Sequence, residues 1–489
     1  MRCALTIPAW ASEEIFASGT AGSQINYWQP LGLLYVGAAL LEAGHEVEFL
    51  DGAFSTHEQI LDRIGEWKPD FVGIYSTAFG WSKAKRTARD VKLMDPKTFT
   101  CVGGPYPTAA GERCLSGGGD IDAIVTGEGE RAVPELLERL QTATSLAGLP
   151  GVIFRDGDNI VANPPRPLLE DLDSLAFPAR QLLGDRALYV PPTGTYRRKP
   201  IAVLLTSRGC NRRCIFCFQM DKERKSGRRG IRFRSIDNVM AEIESLLAQG
   251  YREIKFIDDS FCADYDRALE LTEEIRRRRF DFTWFASACV NQVDARLLKA
   301  MKDAGCWAIL MGAESGVQKN LNTLRKGTTT GQIRQAVRLA KEAGLQVSTP
   351  FLFGIPGETV EDGLKTIEFA LELDPDLASF HALTPFPGTY LHDHRDEYGV
   401  VCEDLSDFTY QGAAFTPNTM TRDDIQMLRR MAFWRFYSRP SFLLRWLLRI
   451  RSWSDCMAAA QGARSLFWLG VNRFLFHRAR PDAWDGGTG

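Results

Sequence analysis

The sequence predicts an α/β protein of two units in tandem: an N-terminal doubly wound parallel sheet, then a partial (β/α)6 TIM-like barrel, followed by a helical C-terminal tail. Three observations predict it. Short apolar runs rich in β-branched residues alternate with helical patterns over about residues 1–145. After a proline-dense stretch, a strand-then-helix order repeats six times within about 196–400. Past 421 the strand pattern stops, and aromatic residues and arginines gather at helical spacing.

In the first unit, Cys3 to Ile7 is the expected first strand. Pro30 to Gly44 has helical spacing and stops on glycine, after which His45 to Asp51 alternates like a strand. Later strands are Phe71 to Ser76, Thr100 to Gly104 and Ala123 to Gly127. A sheet wound this way receives ligands beyond the carboxyl ends of its strands. The glycine-rich stretches Gly103-Gly104-Pro105 and Thr126-Gly127-Glu128-Gly129-Glu130 belong at that end. Residues 146–195 read as a linker, because Pro164, Pro165, Pro167, Pro178, Pro191 and Pro192 disfavour regular elements.

The second unit, 196–400, has expected strands at Ile201–Leu205, Glu253–Asp258, Phe282–Ser287, Trp307–Gly312, Gln346–Phe353 and Ala378–Leu383. Right-handed βα repeats place chemistry at the carboxyl ends of such strands. Three polar groups fall there: Asp258-Asp259-Ser260, Gly312 to Gly316, and Gly354-Ile355-Pro356-Gly357-Glu358. Residues 401–489 form the helical aromatic and Arg-rich C-terminal region.

Composition narrows the function classes. The 489 residues are 45% hydrophobic and 25% charged, as in an ordinary globular chain, and a net charge of −2 argues against a nucleic-acid footprint. No signal peptide is read at the start, and no apolar stretch of spanning length. Eleven cysteines, an odd number, suit a reducing cytoplasm better than a disulfide framework. His45 and His57 read as structural.

Cys210, Cys214 and Cys217 are spaced C-x3-C-x2-C, a pattern that random placement of the cysteines would give about 0.006 times per chain. Thiolates are the usual protein ligands of iron–sulfur clusters, and three leave one iron of a [4Fe–4S] cluster open. A zinc site would need a fourth ligand nearby, and none follows at suitable spacing. With the apolar run Ile201–Leu205 before it and Phe216 before the last cysteine, the triplet resembles the radical S-adenosylmethionine (SAM) superfamily, in which the open iron chelates SAM. That resemblance implies that Glu314 and Ser315 contact the ribose and carboxylate of SAM. It also implies that Asp258 and Asp259 lie where its amino group is held, and that Gly354 to Gly357 let backbone approach the adenine.

The first unit is similar to the cobalamin-binding domain found in front of many radical SAM enzymes, through Gly103, Gly104, Gly127 and Glu128. It departs from that pattern in lacking Asp-x-His-x-x-Gly, since Ser76 to Trp81 stands after the third strand. Cobalamin without a protein histidine ligand is one expectation; loss of cobalamin is the other.

The basic residues around the cysteine loop, from Arg212 to Arg229, read as a solvated face or as a docking patch for an acidic electron donor such as flavodoxin or ferredoxin. In the tail, Leu443, Trp446, Leu447 and Ile450 share a helical face flanked by Arg445 and Arg449. Two readings stand: peripheral contact with the inner face of the membrane, or helices capping the barrel with their arginines in solvent. The implied reaction is methylation of an unactivated carbon, using SAM, the cluster and cobalamin. A large apolar polycyclic substrate is expected, a hopanoid at C-3 first. Tetrapyrrole methylation or oxidative cyclisation is the nearest alternative, and a non-catalytic cobalamin and iron–sulfur sensor the more distant one.

Overall fold

The computed structural model describes residues 1–15, 27–192, 195–220, 230–409, 411–447 and 460. The basic run 221–229 and the tail beyond 447 lie outside them.

The first sheet holds β1 (Arg2–Ile7), β2 (Glu46–Asp51), β3 (Phe71–Tyr75), β4 (Phe99–Gly103), β5 (Ala123–Val125), β6 (Val152–Asp156) and β7 (Asn159–Ala162) in the order β2-β1-β3-β4-β5-β6-β7. The first five strands are parallel, with β1 between β2 and β3, so the winding reverses beside β1. A crevice opens at such a reversal. The helix Leu31–Glu42 follows β1 and ends where Gly44 turns left-handed (φ 81°). Thr56 opens the next helix, His57–Trp67, with a reciprocal cap to Gln59.

One expectation is corrected here. The stretch expected to be an irregular linker contributes β6 and β7, an antiparallel hairpin added to the β5 edge. The prolines that signalled a linker begin only at Pro164, after the hairpin has closed.

The second sheet comprises β8 (Ile201–Leu204), β11 (Glu253–Phe256), β12 (Thr283–Ala288), β13 (Cys306–Met311), β14 (Gln346–Phe353) and β15 (Leu377–Ala382), all parallel and in that spatial order. A small ribbon of β9 (Ser207–Arg208) and β10 (Arg232–Phe233) brackets the cysteine segment. Alternate residues of the barrel strands, such as Ile254, Phe256, Trp284, Ile309, Val347 and Phe351, join the core under the surrounding helices. Their neighbours in sequence therefore face the inside of the barrel.

Six strands leave the barrel open along two edges, and unpaired strand edges must be covered. On β8, Gln29 Oε1 accepts from the Val203 amide (3.4 Å), while Arg180 donates to the Val203 carbonyl (2.6 Å). On β15, the Tyr437 hydroxyl donates to the Ala378 carbonyl (2.7 Å) and accepts from its amide (3.2 Å); Arg429 donates to the Phe380 carbonyl (3.2 Å). Tyr437 and Arg429 belong to the helix Arg422–Tyr437, whose Ile425, Leu428, Ala432 and Phe436 are buried in the barrel core. This part of the tail is thus a barrel cap. Contrary to the expectation that a cap would keep its arginines in solvent, Arg429 is buried, and burial lowers its guanidinium to about 10. A short hairpin of β16 (Gly399–Val401) and β17 (Phe415–Pro417) precedes the helix. Among the described residues no helix is long and apolar enough to cross a membrane.

The two units meet through buried charge. Arg208 donates to Glu128 (2.8 Å) and Glu130 (2.6 Å), and Arg232 to Glu128 (2.9 Å). Farther along, Arg180 from the connector and Arg234 share Glu242 of the helix Ile236–Ala248. Paired charges of this kind are costly to break one partner at a time, so they hold one arrangement of the units.

Candidate active site

The cysteine segment is pinned from several sides. Gly209 takes a left-handed backbone (φ 94°), and a Cβ there would lie 2.1 Å from the Gly230 carbonyl, so only glycine passes. The Ile215 amide donates to the Leu324 carbonyl (3.1 Å), and the Leu391 amide to the Ile215 carbonyl (2.9 Å). Asp258 anchors the strand leading in: its Oδ1 accepts from the Thr206 amide (3.0 Å), the Thr206 hydroxyl (2.8 Å) and the Ser207 hydroxyl (2.5 Å).

Cys214 is buried, Cys210 half-buried and Cys217 exposed. A hydrogen bond with Cys217, then the charge of Lys326, holds the Cys214 thiol below the ordinary thiol range against burial; Cys217 is pushed up by the same bond. No three His, Cys, Asp or Glu side chains among the described residues close on a point that suits a single metal ion. A cluster whose corners stand apart fits three thiols on one pinned loop.

Beside the thiols lies a buried ion pair, Lys326 Nζ to Glu314 Oε1 at 2.6 Å. Lys326 was not singled out from the sequence, where one lysine before a glycine carries no periodic signal. Glu314 has a left-handed backbone (φ 63°), and its amide and carbonyl bond to Pro350 and Leu352, tying the end of β13 to β14. A side chain at Gly312 would collide with both members of the pair.

The other expected SAM contacts divide. Gly354 (φ 83°) and Gly357 (φ 75°) bound a turn closed by Glu358, whose Oε2 accepts from the Gly354 amide (2.7 Å) and the Ile355 amide (3.1 Å). Burial raises Glu358 to about 8. Asp259 accepts from the Gly209 amide next to Cys210; removal from water, then the charge of Asp258, raises its carboxyl. Asp258 is buried and likewise raised by burial, and its Oδ2 has no partner, so one acceptor remains at this strand end. Ser315 is fully buried, its hydroxyl bonded to Thr366 (3.1 Å), Asn320 (3.2 Å) and the Val317 amide (3.2 Å).

In the first unit, Gly103 ends β4 and Gly104 follows it, at the carboxyl end of the sheet. Gly104 (φ 114°) passes so close to the Ser76 carbonyl that a Cβ would lie 2.6 Å from it. The Thr108 hydroxyl accepts from the Gly127 amide (3.0 Å) and donates to the Gly104 carbonyl (2.8 Å), joining the loops after β4 and β5. Such bare backbone beyond the carboxyl ends of a doubly wound sheet fits a large planar cofactor. Both oxygens of Glu128 are taken by Arg208, Arg232 and the Leu169 amide, making it part of the interdomain clamp. His57 is held by Asp90 at 2.8 Å, and His45 lies at the amino end of β2 beside the chain terminus. Neither stands at the crevice loops.

Residues 204–370 match the radical SAM superfamily and residues 20–137 a B12 binding domain. An uncharacterized methyltransferase of Pyrococcus horikoshii is 32% identical over 91% of this chain and 94% of that one. The anaerobic magnesium-protoporphyrin IX monomethyl ester cyclase of Rubrivivax gelatinosus is 27% identical over 85% and 75%. The hopanoid C-3 methylase of Methylococcus capsulatus is 27% identical over 74% and 67%. Among solved structures, the radical SAM methyltransferase TsrM of Kitasatospora setae shares the fold at a TM-score of 0.65, with 21% identity and 90% of each chain covered. With its pinned thiol triplet, its crevice and a relative matched over nearly its whole length, this chain belongs to the radical SAM methyltransferases that carry a B12 binding domain, enzymes of a [4Fe–4S] cluster, SAM and cobalamin.

Proposed function

We propose that the chain methylates an unactivated carbon of a large, mainly apolar, ring-bearing small molecule. The observation that carries this is the inside of the barrel. Leu310 lies near the carboxyl end of β13 between the buried Ile309 and Met311, yet 39% of it is accessible. Phe285 and Trp307 stand on the same face, their rings 5.6 Å apart. An apolar surface left open in the middle of a sheet is a site for an apolar ligand.

When bound, the cofactors supply a carbon radical and a methyl group. The chain's own residues hold and orient. Cys210, Cys214 and Cys217 would ligate the cluster, the Lys326–Glu314 pair fixes charge beside it, and Glu358 holds the turn from Gly354 to Gly357. The clamp from Glu128 and Glu130 to Arg208 keeps the crevice in register with a residue two positions before Cys210.

A hopanoid modified at C-3 is the first substrate candidate, supported by the hopanoid methylase relative. A tetrapyrrole is the second, supported by the cyclase relative, which matches over more of both chains. Extracts of lipids and pigments from a host with and without this gene should differ by a species one methyl heavier. An unchanged profile in both fractions contradicts the reading. Arg212 and Arg213 beside the thiols suit an acidic donor such as flavodoxin or ferredoxin in the cytoplasm. The helix Pro440–Leu447 leaves Leu443, Leu444 and Leu447 exposed, which supports peripheral membrane contact.

A further inference from the structure

The inner face of the barrel carries a cation with no anion to meet it. Lys255 stands in β11 between Ile254 and Phe256, both fully buried in the helix-facing core, so it projects to the opposite, inner side. Its ammonium lies 4.1 Å from the centre of the Trp28 ring and 5.6 Å from that of Phe285, its register partner on β12. Those two rings are 5.9 Å apart.

No charged group among the described residues acts on it. Burial alone lowers it to about 8. Glu253, at the amino end of the same strand, is committed to the Arg197 and Arg198 amides and the Thr283 hydroxyl. Arg180, on the outer edge of β8, is paired with Glu242. On the other side, Lys255 pairs in register with Val203, which has no charge to offer. Two aromatic faces return only part of the hydration that a buried ammonium gives up. A residue kept at such a cost, on an inner face that alternation also assigns to Leu310, Ser348, Ser379 and His381, is best explained by a ligand that supplies the missing charge.

We infer that Lys255 is the anion-recognising residue of the substrate chamber, and that the substrate is an otherwise apolar, ring-bearing molecule with one carboxylate. This rests on the function proposed above and narrows its substrate class, since a purely hydrocarbon ring system would leave the ammonium unanswered. One ammonium balances one carboxylate. A phosphate monoester, with about 1.5 to 2 negative charges, would bring more charge than the single Lys255 ammonium answers. Lys255 is the penultimate residue of β11, so the carboxylate is anchored inside the barrel just below the loop that carries Asp258 and Asp259.

The test uses the full chain loaded with cluster and cobalamin, as wild type, Lys255→Met and Lys255→Arg. Binding is titrated with cholate, indole-3-propionate and 1-pyrenebutyrate, each against its own carboxamide. Wild type and Lys255→Arg should prefer the carboxylate by about tenfold or more in at least one pair, and Lys255→Met should lose that preference. No preference by wild type in any pair, or one that survives in Lys255→Met, overturns the inference.

Ligand-free stability gives a second arm. The folded value of about 8 lies below the ordinary 10.5, so the ammonium costs stability in full below pH 8 and the cost vanishes toward pH 10.5. Lys255→Met should therefore melt higher than wild type at pH 7, by a margin that shrinks toward pH 10. A lower melting point at pH 7 would make Lys255 a structural strut and end the proposal. Wild type that shows the carboxylate preference but forms no 5′-deoxyadenosine on reduction with SAM would instead contradict the proposed function alone.

Discussion

Lys326 and Glu314 are the most consequential pair of side chains that spacing alone did not reveal. Both are buried, 2.6 Å apart, and Glu314 is held on a left-handed backbone. Lys326→Met would leave a buried carboxylate unpaired, at about 3–5 kcal/mol. It should lower the melting point and reduce iron retained per chain after reconstitution. Adding Glu314→Gln should recover much of the stability, because the stranded charge is then gone. A single variant that keeps both melting point and iron would show the pair to be a bystander. Glu358 carries a pH signature. Its folded value of about 8 lies above the ordinary 4.5, so the folded state binds its proton more tightly and loses stability as pH rises from about 4.5 to about 8. Relative to wild type, Glu358→Gln should gain in melting point between pH 5 and pH 8.5; a constant difference across that range would refute the assignment. The cysteine triplet was legible because ligand spacing is local. The commitments of Ser315 and Glu128 were not, because their partners Thr366, Asn320, Arg208 and Arg232 come from other elements.

Among the elements, the helix Arg422–Tyr437 does what a seventh strand would do in a closed barrel. Tyr437 bonds both main-chain groups of Ala378, and Arg429 reaches Phe380. Tyr437→Phe removes the hydroxyl from both, and should cost about 1–2 kcal/mol in denaturant unfolding. No measurable loss would mean the edge is satisfied without it. Removing residues 421–489 strips Ile425, Leu428, Ala432 and Phe436 from the core and should yield an unstable or aggregating chain, which far-UV dichroism and gel filtration would register. The sequence displayed an amphipathic helix further along, at Leu443, Trp446, Leu447 and Ile450, and an aromatic, Arg-rich composition from Arg422 on. Helical spacing reveals that an apolar face exists and is silent on what covers it, so a membrane surface and a barrel edge looked alike. The hairpin of β6 and β7 escaped for a different reason: two strands of five and four residues are too short for alternation to stand out beside six nearby prolines.

At the scale of the whole molecule, two α/β units are locked so that the crevice of one is tied to the cysteine loop of the other through Glu128, Glu130 and Arg208. The alternation of strands and helices, and with it the parallel class of both sheets, was readable from hydrophobic periodicity. The way the units dock was not, since it depends on charges that look solvated in the linear sequence. The central claim is that this assembly cleaves SAM to a radical and carries a methyl group on cobalamin. Its most direct test is anaerobic reduction of the fully loaded chain with trideuteromethyl-labelled SAM, followed by mass spectrometry of nucleosides and corrinoid. The account predicts 5′-deoxyadenosine together with a trideuteromethyl corrinoid from wild type, and no 5′-deoxyadenosine when Cys210, Cys214 and Cys217 are all alanine. Reduced, cluster-loaded wild type that forms no 5′-deoxyadenosine, or a triple variant that still does, would contradict it.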